Sequence, residues 1–210
     1  MSATLKPRHE TDSPKRLQIL DAAANLFIAQ GYGAVSMDAI ARAAGVSKAT
    51  LYAHFTSKDL LFATIIGEAC RENLMGQWLT SLEDGALVTD VRAALTALGL
   101  GLLRLLLEER SLAIYRVVVA ESVRFPELGR AFHENGPVQF RRAFGPWLDE
   151  QAKAGRLRAA DPDVAADQFI GLLRSGLYLR AALGLPPAPT EAEIAATVTA
   201  AVDTFMRAFG

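Results

Sequence analysis

Three serines, Ser36, Ser47 and Ser57, stand ten or eleven residues apart, and each opens a stretch of helical apolar spacing. Serine at a helix N-cap accepts a hydrogen bond from an amide two or three residues on, so it marks a start. Starts this close together leave room for only two turns each. The spacing therefore predicts two short helices, roughly 36–43 and 47–53, and then a longer one from about 57. Gly45, in Ala44-Gly45-Val46, stands where a tight turn between the first two needs a left-handed residue. Met37, Ile40 and Ala41 line the inner face of the first short helix, and Val46, Leu51 and Phe55 that of the second. Ala41 is small enough to let the two cross closely. This is the pattern of a helix-turn-helix, whose second helix enters the major groove of DNA.

The rest of the chain carries the same helical signature. Ser13-Pro14 opens a helix striped by Leu17, Leu20, Ala23, Ala24, Phe27 and Ile28 and stopped by Gly31 and Gly33. Helix starts follow at Thr89-Asp90, Ser111, Phe125-Pro126, Asp161-Pro162 and Thr190. Breaks fall at Glu83-Asp84-Gly85, Gly136-Pro137, Gly155 and the stiff Leu185–Pro189 linker. Alternating Val/Ile/Thr runs are scarce. The expectation is an all-α protein of nine or ten helices, with a flexible tail over 1–12, a helix-turn-helix domain over 13–60 and a larger helical bundle over 61–210. One long helix is expected from 161 to 184.

Several classes of function find no support. Net charge is −1. Residues 1–60 hold seven Lys/Arg against five Asp/Glu and residues 61–210 fifteen against eighteen, so charge alone argues for no nucleic-acid partner. An architectural DNA-coating protein, which would bind without a ligand, would be more basic. The lone cysteine, Cys70, excludes an intrachain disulfide and a multi-cysteine zinc site. No signal peptide opens the chain and no apolar run approaches the ~20 residues of a membrane span, so a cytoplasmic location and no membrane partner are expected. Asp161, Asp163 and Asp167 sit where acids complement a helix start rather than in a metal loop. Gly99-Leu100-Gly101 lacks the third glycine and the preceding strand of a nucleotide loop. His133-Glu134 has no second histidine at zinc spacing. With no catalytic constellation, an all-helical small-molecule enzyme is the weaker alternative, and neither a catalytic residue nor a cofactor is expected.

The outer face of the second short helix has DNA-reading chemistry. Lys48, Thr50, Tyr52 and His54 can donate hydrogen bonds to phosphates or base edges, and Ala49 can touch a thymine methyl. Ser36 and Ser47 cap helices whose free amides attract phosphate, and Lys58 lies in the first turn of the next helix. His54 suits a phosphate contact and a structural hydrogen bond equally. With Gly31-Tyr32, Ser36-Met37-Asp38, Ile40-Ala41, Ala44-Gly45-Val46-Ser47, Thr50-Leu51-Tyr52, His54-Phe55 and Ser57-Lys58-Asp59-Leu60, residues 15–62 resemble the N-terminal domain of TetR-family regulators without a gap. The stretch from Arg116 through Glu121 to Arg124-Phe125-Pro126-Glu127-Leu128 is similar to members with an AefR- or AcrR-like C-terminal domain.

The resemblance implies a homodimer on a palindromic double-stranded operator, acting most often as a repressor released by a small hydrophobic or amphipathic ligand. It also matches Ser36, Lys48, Thr50, Tyr52, His54 and Lys58 to positions that touch DNA. A ligand pocket in the bundle would draw on aromatic residues with a few polar ones: Tyr115, Ser122, Phe140, Phe144, Trp147, Arg174, Ser175 and Tyr178. The aromatic residues among them suit a plain core as well. The last two helices are apolar beyond the needs of one face. Leu173, Gly176, Leu177, Val198, Ala201, Val202 and Phe205 are the expected dimer interface, since family members pair these helices across a two-fold axis.

Overall fold

A computed structural model describes residues 14–70, 90–158 and 161–210, without the side chains of 69 and 70. The tail over 1–12, the Ser13 cap, the Cys70 side chain, the run toward Trp78 and the loop at 83–85 lie outside the described residues.

Every described element is a helix, as the apolar spacing predicts. In chain order they are α1 (Pro14–Gln30), α2 (Met37–Ala43), α3 (Lys48–His54), α4 (Lys58–Cys70), α5 (Val91–Leu107), α6 (Glu109–Glu121), α7 (Pro126–Asn135), α8 (Pro137–Lys153), α9 (Pro162–Leu173), α10 (Gly176–Ala182) and α11 (Glu191–Phe209). Most helix starts read from sequence are capped as expected, but Ser111 falls inside the first turn of α6, which opens at Glu109 without a side-chain cap. Ser36 Oγ accepts the Ala39 amide, Ser47 Oγ that of Thr50, and Ser57 Oγ that of Leu60. Asp90 and Asp161 cap α5 and α9 in the same way. Thr190 and Glu193 form a reciprocal capping box at α11. Gly45 turns between α2 and α3 at φ +64°, where a side chain costs about 1–2 kcal/mol.

Two apolar cores organise these helices. The first gathers Phe27, Tyr32, Ile40, Leu51, Phe55, Leu61 and Phe62 from α1 to α4, and continues into Ile114 and Val118 of α6 and Leu128 of α7. The second joins α5, α8, α9 and α11 through Leu95, Leu98, Phe140, Phe144, Phe169, Leu173, Val198 and Phe205. Both halves of α6 are thus in use. Its end is built into the first core, and Leu112 near its start packs with Tyr178 and Ala181 of α10.

One expectation is corrected. The single helix expected over 161–184 is interrupted. Arg174 (ψ 42°) and Ser175 (ψ −161°) leave helical geometry and separate α9 from α10. A Ser-Gly pair, Ser175-Gly176, stands at the break, a common cause of sharp kinks. Most of the expected dimer face lies inward. Leu173, Val198, Ala201, Val202 and Phe205 are buried inside the single chain, and only Gly176 and Leu177 keep some exposure. Val198, Ala201, Val202 and Phe205 repeat at three- and four-residue spacing along α11, and Leu173 continues the buried stripe of Ala166 and Phe169 on α9.

Phe205 is fully buried, edge-on to Phe169 at 5.4 Å and tilted on Phe209 at 4.7 Å. Phe205→Ala is expected to cost about 3–5 kcal/mol. The midpoint of urea unfolding, followed by circular dichroism, checks it; a shift below 1 kcal/mol contradicts the core assignment.

Candidate nucleic-acid interface and an internal cavity

The two short helices α2 and α3 are held by Ile40, Ala41, Leu51 and Phe55, all buried. Burying Leu51 and Phe55 turns the other side of α3 outward. Lys48, Ala49, Tyr52 and His54 are exposed, with Tyr52 at 48%. Thr50 is half-buried, its hydroxyl 2.8 Å from Ser47 Oγ. Lys48 Nζ pairs with Asp38 Oδ2 at 2.6 Å across the helix pair, both side chains well exposed. Such a surface pair contributes at most about 1 kcal/mol, so a phosphate can displace the carboxylate at little cost. Ser36, Ser47, Lys48, Ala49, Tyr52 and His54 are all exposed to solvent on or beside the two short helices.

Lys58 is placed differently from its expected phosphate contact. Its Nζ turns inward and donates to the carbonyls of Tyr32 at 2.7 Å and Val35 at 3.0 Å. It also lies 4.1 Å from the centre of the Tyr32 ring. Burial pulls the ammonium below the usual lysine range, while Asp59, Glu121 and Glu127 oppose that shift. At the same loop, Glu121 of α6 accepts two consecutive amides. Oε1 takes Tyr32 N–H at 2.7 Å and Oε2 takes Gly33 N–H at 2.8 Å. Gly33 is required for close approach, because a Cβ there would meet the Phe125 ring at 2.7 Å. Tyr32 itself is buried among Phe27, Phe62 and Phe125 and donates its hydroxyl to Asp59. Burial first, and then that bond and the nearby acids, push the phenol far above its ordinary range. Nothing in the spacing of the sequence pointed to this joint, since its partners are about ninety residues apart.

Between this unit and the bundle lies a cavity of about 610 Å³. Leu17, Gln18 and Asp21 of α1, Ile65 and Ile66 of α4, and Ser111, Ile114 and Tyr115 of α6 form part of its wall. Of the eight expected pocket residues, Tyr115, Phe140, Arg174 and Tyr178 line it. Phe144 and Trp147 are packed into the second core, stacked on one another at 5.8 Å. Ser122 ends α6 next to Gly129, and Ser175 faces a separate shallow groove with Leu172, Ala196, Ala200 and Thr204. Sequence reasoning missed the α1 and α4 contributions. Leu17 is half exposed despite its place in the apolar stripe, and the cavity accounts for it.

Arg174 stands over two aromatic faces, 4.5 Å from the Tyr178 ring centre and 5.1 Å from that of Tyr115. Each such contact is worth about 0.5–2 kcal/mol. Burial raises the Tyr178 phenol, and Arg174 works against that rise. Also on the cavity wall, Arg110 of α6 pairs with Asp21 of α1 at 2.6 Å.

Glu121→Gln is expected to loosen the joint by about 1–3 kcal/mol, because two charge-assisted bonds become one neutral acceptor and one mismatched amide. Faster hydrogen exchange at the Tyr32 and Gly33 amides, with unchanged protection in α11, is the outcome that checks it.

The comparisons with known proteins agree with this geometry. Residues 19–65 match bacterial regulatory proteins of the tetR family, and residues 93–210 match the AefR-like transcriptional repressor C-terminal domain. The HTH-type transcriptional activator FasR of Mycolicibacterium smegmatis is 47% identical over 60 residues, 29% of this chain and 26% of FasR. The match thus spans about a quarter of that relative's length. A TetR-family transcriptional regulator of Mesorhizobium loti superposes with a TM-score of 0.74 at 28% identity, covering 98% of this chain and all of that one. The flavonoid-responsive regulator FrrA superposes with a TM-score of 0.70 at 37% identity, covering 93% and 96%. Exposed polar residues on α3, the all-helical architecture and the two family matches lead to one conclusion: the chain belongs to the TetR family of DNA-binding transcriptional regulators, which are not enzymes, with an AefR-like C-terminal domain.

Proposed function

We propose that this regulator is a homodimeric repressor that leaves a palindromic operator when a small hydrophobic or amphipathic ligand occupies the cavity. Residues 13–60 read DNA and residues 61–210 sense the ligand and dimerise. The observation that carries this reading is the position of the cavity. Its wall takes side chains from α1 and α4, which hold the DNA-reading helices, and from α6, α8 and α9 of the bundle. A molecule touching both bodies has differential affinity for their relative arrangements, and that difference is the only quantity by which a ligand shifts an equilibrium. Repression is favoured by the AefR-like repressor match over residues 93–210. FrrA responds to flavonoids, which supports a partly aromatic ligand here.

DNA contact falls to Ser36, Ser47, Lys48, Ala49, Thr50, Tyr52 and His54. Two copies of α3 must sit about 34–36 Å apart, or a multiple, to meet successive half-sites. The second copy docks on the outer faces of α9, α10 and α11 rather than on the buried positions expected from sequence. Leu179 and Leu183 are 58% and 64% exposed there, beside the groove of Leu172, Ala196, Ala200 and Thr204. Small side chains along α11 let a partner helix approach closely. Among the described residues, no helix is long and apolar enough to cross a membrane.

Footprinting on DNA flanking the protein's own gene tests the reading: one protected palindrome is expected, and continuous coverage contradicts it. Lys48→Ala is expected to weaken operator binding and to lower the slope of log K against log salt by about 0.9, the share of one phosphate. An unchanged slope removes Lys48 from the interface. The pair Leu179→Glu and Leu183→Glu is expected to give a helical monomer with lost operator affinity. Sedimentation of an intact dimer would place the interface elsewhere.

A further inference from the structure

Arg174 is the charged group of the cavity wall whose needs the protein leaves unmet. The other strong pairs on that wall are closed: Arg110 with Asp21, and Glu68 with Arg16. Glu108, at the start of α6, is exposed to solvent. Among the described residues, no carboxylate stands within ion-pair distance of Arg174. Its partners are two aromatic faces and one long hydrogen bond, Nη2 to the Tyr178 hydroxyl at 3.3 Å.

Ring faces engage the flat of a guanidinium and leave its edge donors free. Five N–H groups thus have one protein acceptor between them. The Tyr178 hydroxyl accepts from Arg174, which leaves its own proton available to the same incoming atom. Around this head the wall is apolar, with Leu102, Leu105, Ile114, Phe132, Phe140 and Ile170. A half-buried cation with free edge donors favours an anion, because charge-assisted hydrogen bonds are about twice as strong as neutral ones. The chain also departs from helical geometry at Arg174 itself, between α9 and α10, which sets this side chain apart from the regular inward stripe.

We propose that the cavity takes an apolar molecule bearing one anionic oxygen, a carboxylate or a phenolate, and that Arg174, steadied by Tyr115 and Tyr178, receives that oxygen. This rests on the cavity being the ligand site, as argued above. The volume of about 610 Å³ suits a single drug-sized or fatty-acid-sized molecule.

Matched probes test it on the purified full-length protein without DNA, by calorimetric titration. Decanoate against decanol isolates the carboxylate. 4-Hydroxy-4′-nitrobiphenyl at a pH where it is ionised, against its methyl ether, isolates the phenolate. The expected result is at least tenfold tighter binding of the anion in one pair or both, and the arm that responds identifies the head group. In Arg174→Gln the preference is lost while the neutral partner still binds, which also reports an intact cavity. Arg174→Lys keeps part of the preference. Equal binding within both pairs, a preference that survives Arg174→Gln, or binding of no probe overturns the proposal. Operator footprinting without ligand is unaffected by any of these results. Anion-selective binding that never releases DNA would refute the release mechanism and leave this assignment standing.

Discussion

The loop from Gly31 to Val35 is held by side chains from elsewhere, and the direction in which α3 points depends on that. An irregular loop exposes amides and carbonyls that need partners once buried. Here Glu121 accepts two consecutive amides and Lys58 donates to two carbonyls, so both polarities of the loop are satisfied by side chains from other elements. Tyr32 is locked at the centre by Phe27, Phe62 and Phe125. Glu121 belongs to the C-terminal end of α6, whereas Lys58 opens α4. The DNA-reading helices are therefore tied to the bundle by a charge-assisted clamp, in addition to sharing its apolar core.

That clamp lies on the same helix as the cavity. Ser111, Ile114 and Tyr115 line the cavity, and Glu121 follows ten residues after Ser111, about 15 Å along a rigid helix. α6 thus reaches from the cavity wall to the amides of Tyr32 and Gly33. The Arg110–Asp21 pair on the cavity wall and the Arg116 guanidinium, which caps the carbonyls of Ala181 and Ala182 at the end of α10, tie the same helix to both neighbours.

Local chemistry made much of the fold legible beforehand. Ser36, Ser47, Asp90, Asp161 and Thr190 each cap the helix that their positions announce, and Gly45 turns left-handed where the two short helices meet. These features act within three or four residues, so a linear reading captures them. The outward face of α3 was legible for the same reason, because Leu51 and Phe55 fix which side faces inward.

What one chain determines by itself is thus the helical class, the cap positions and the polar face of α3, all set by interactions between near neighbours in sequence. Tertiary structure decided the rest. It turned Lys58 from a phosphate toward the carbonyls of Tyr32 and Val35, and it used Val198, Ala201, Val202 and Phe205 for the protein's own core, leaving Leu179 and Leu183 outside. It also broke α9 from α10 at Arg174 and faced that cation with Tyr115 and Tyr178. An apolar stripe states that a helix has a buried side, but which neighbour buries it is a property of contacts between distant residues, and no local spacing encodes that choice.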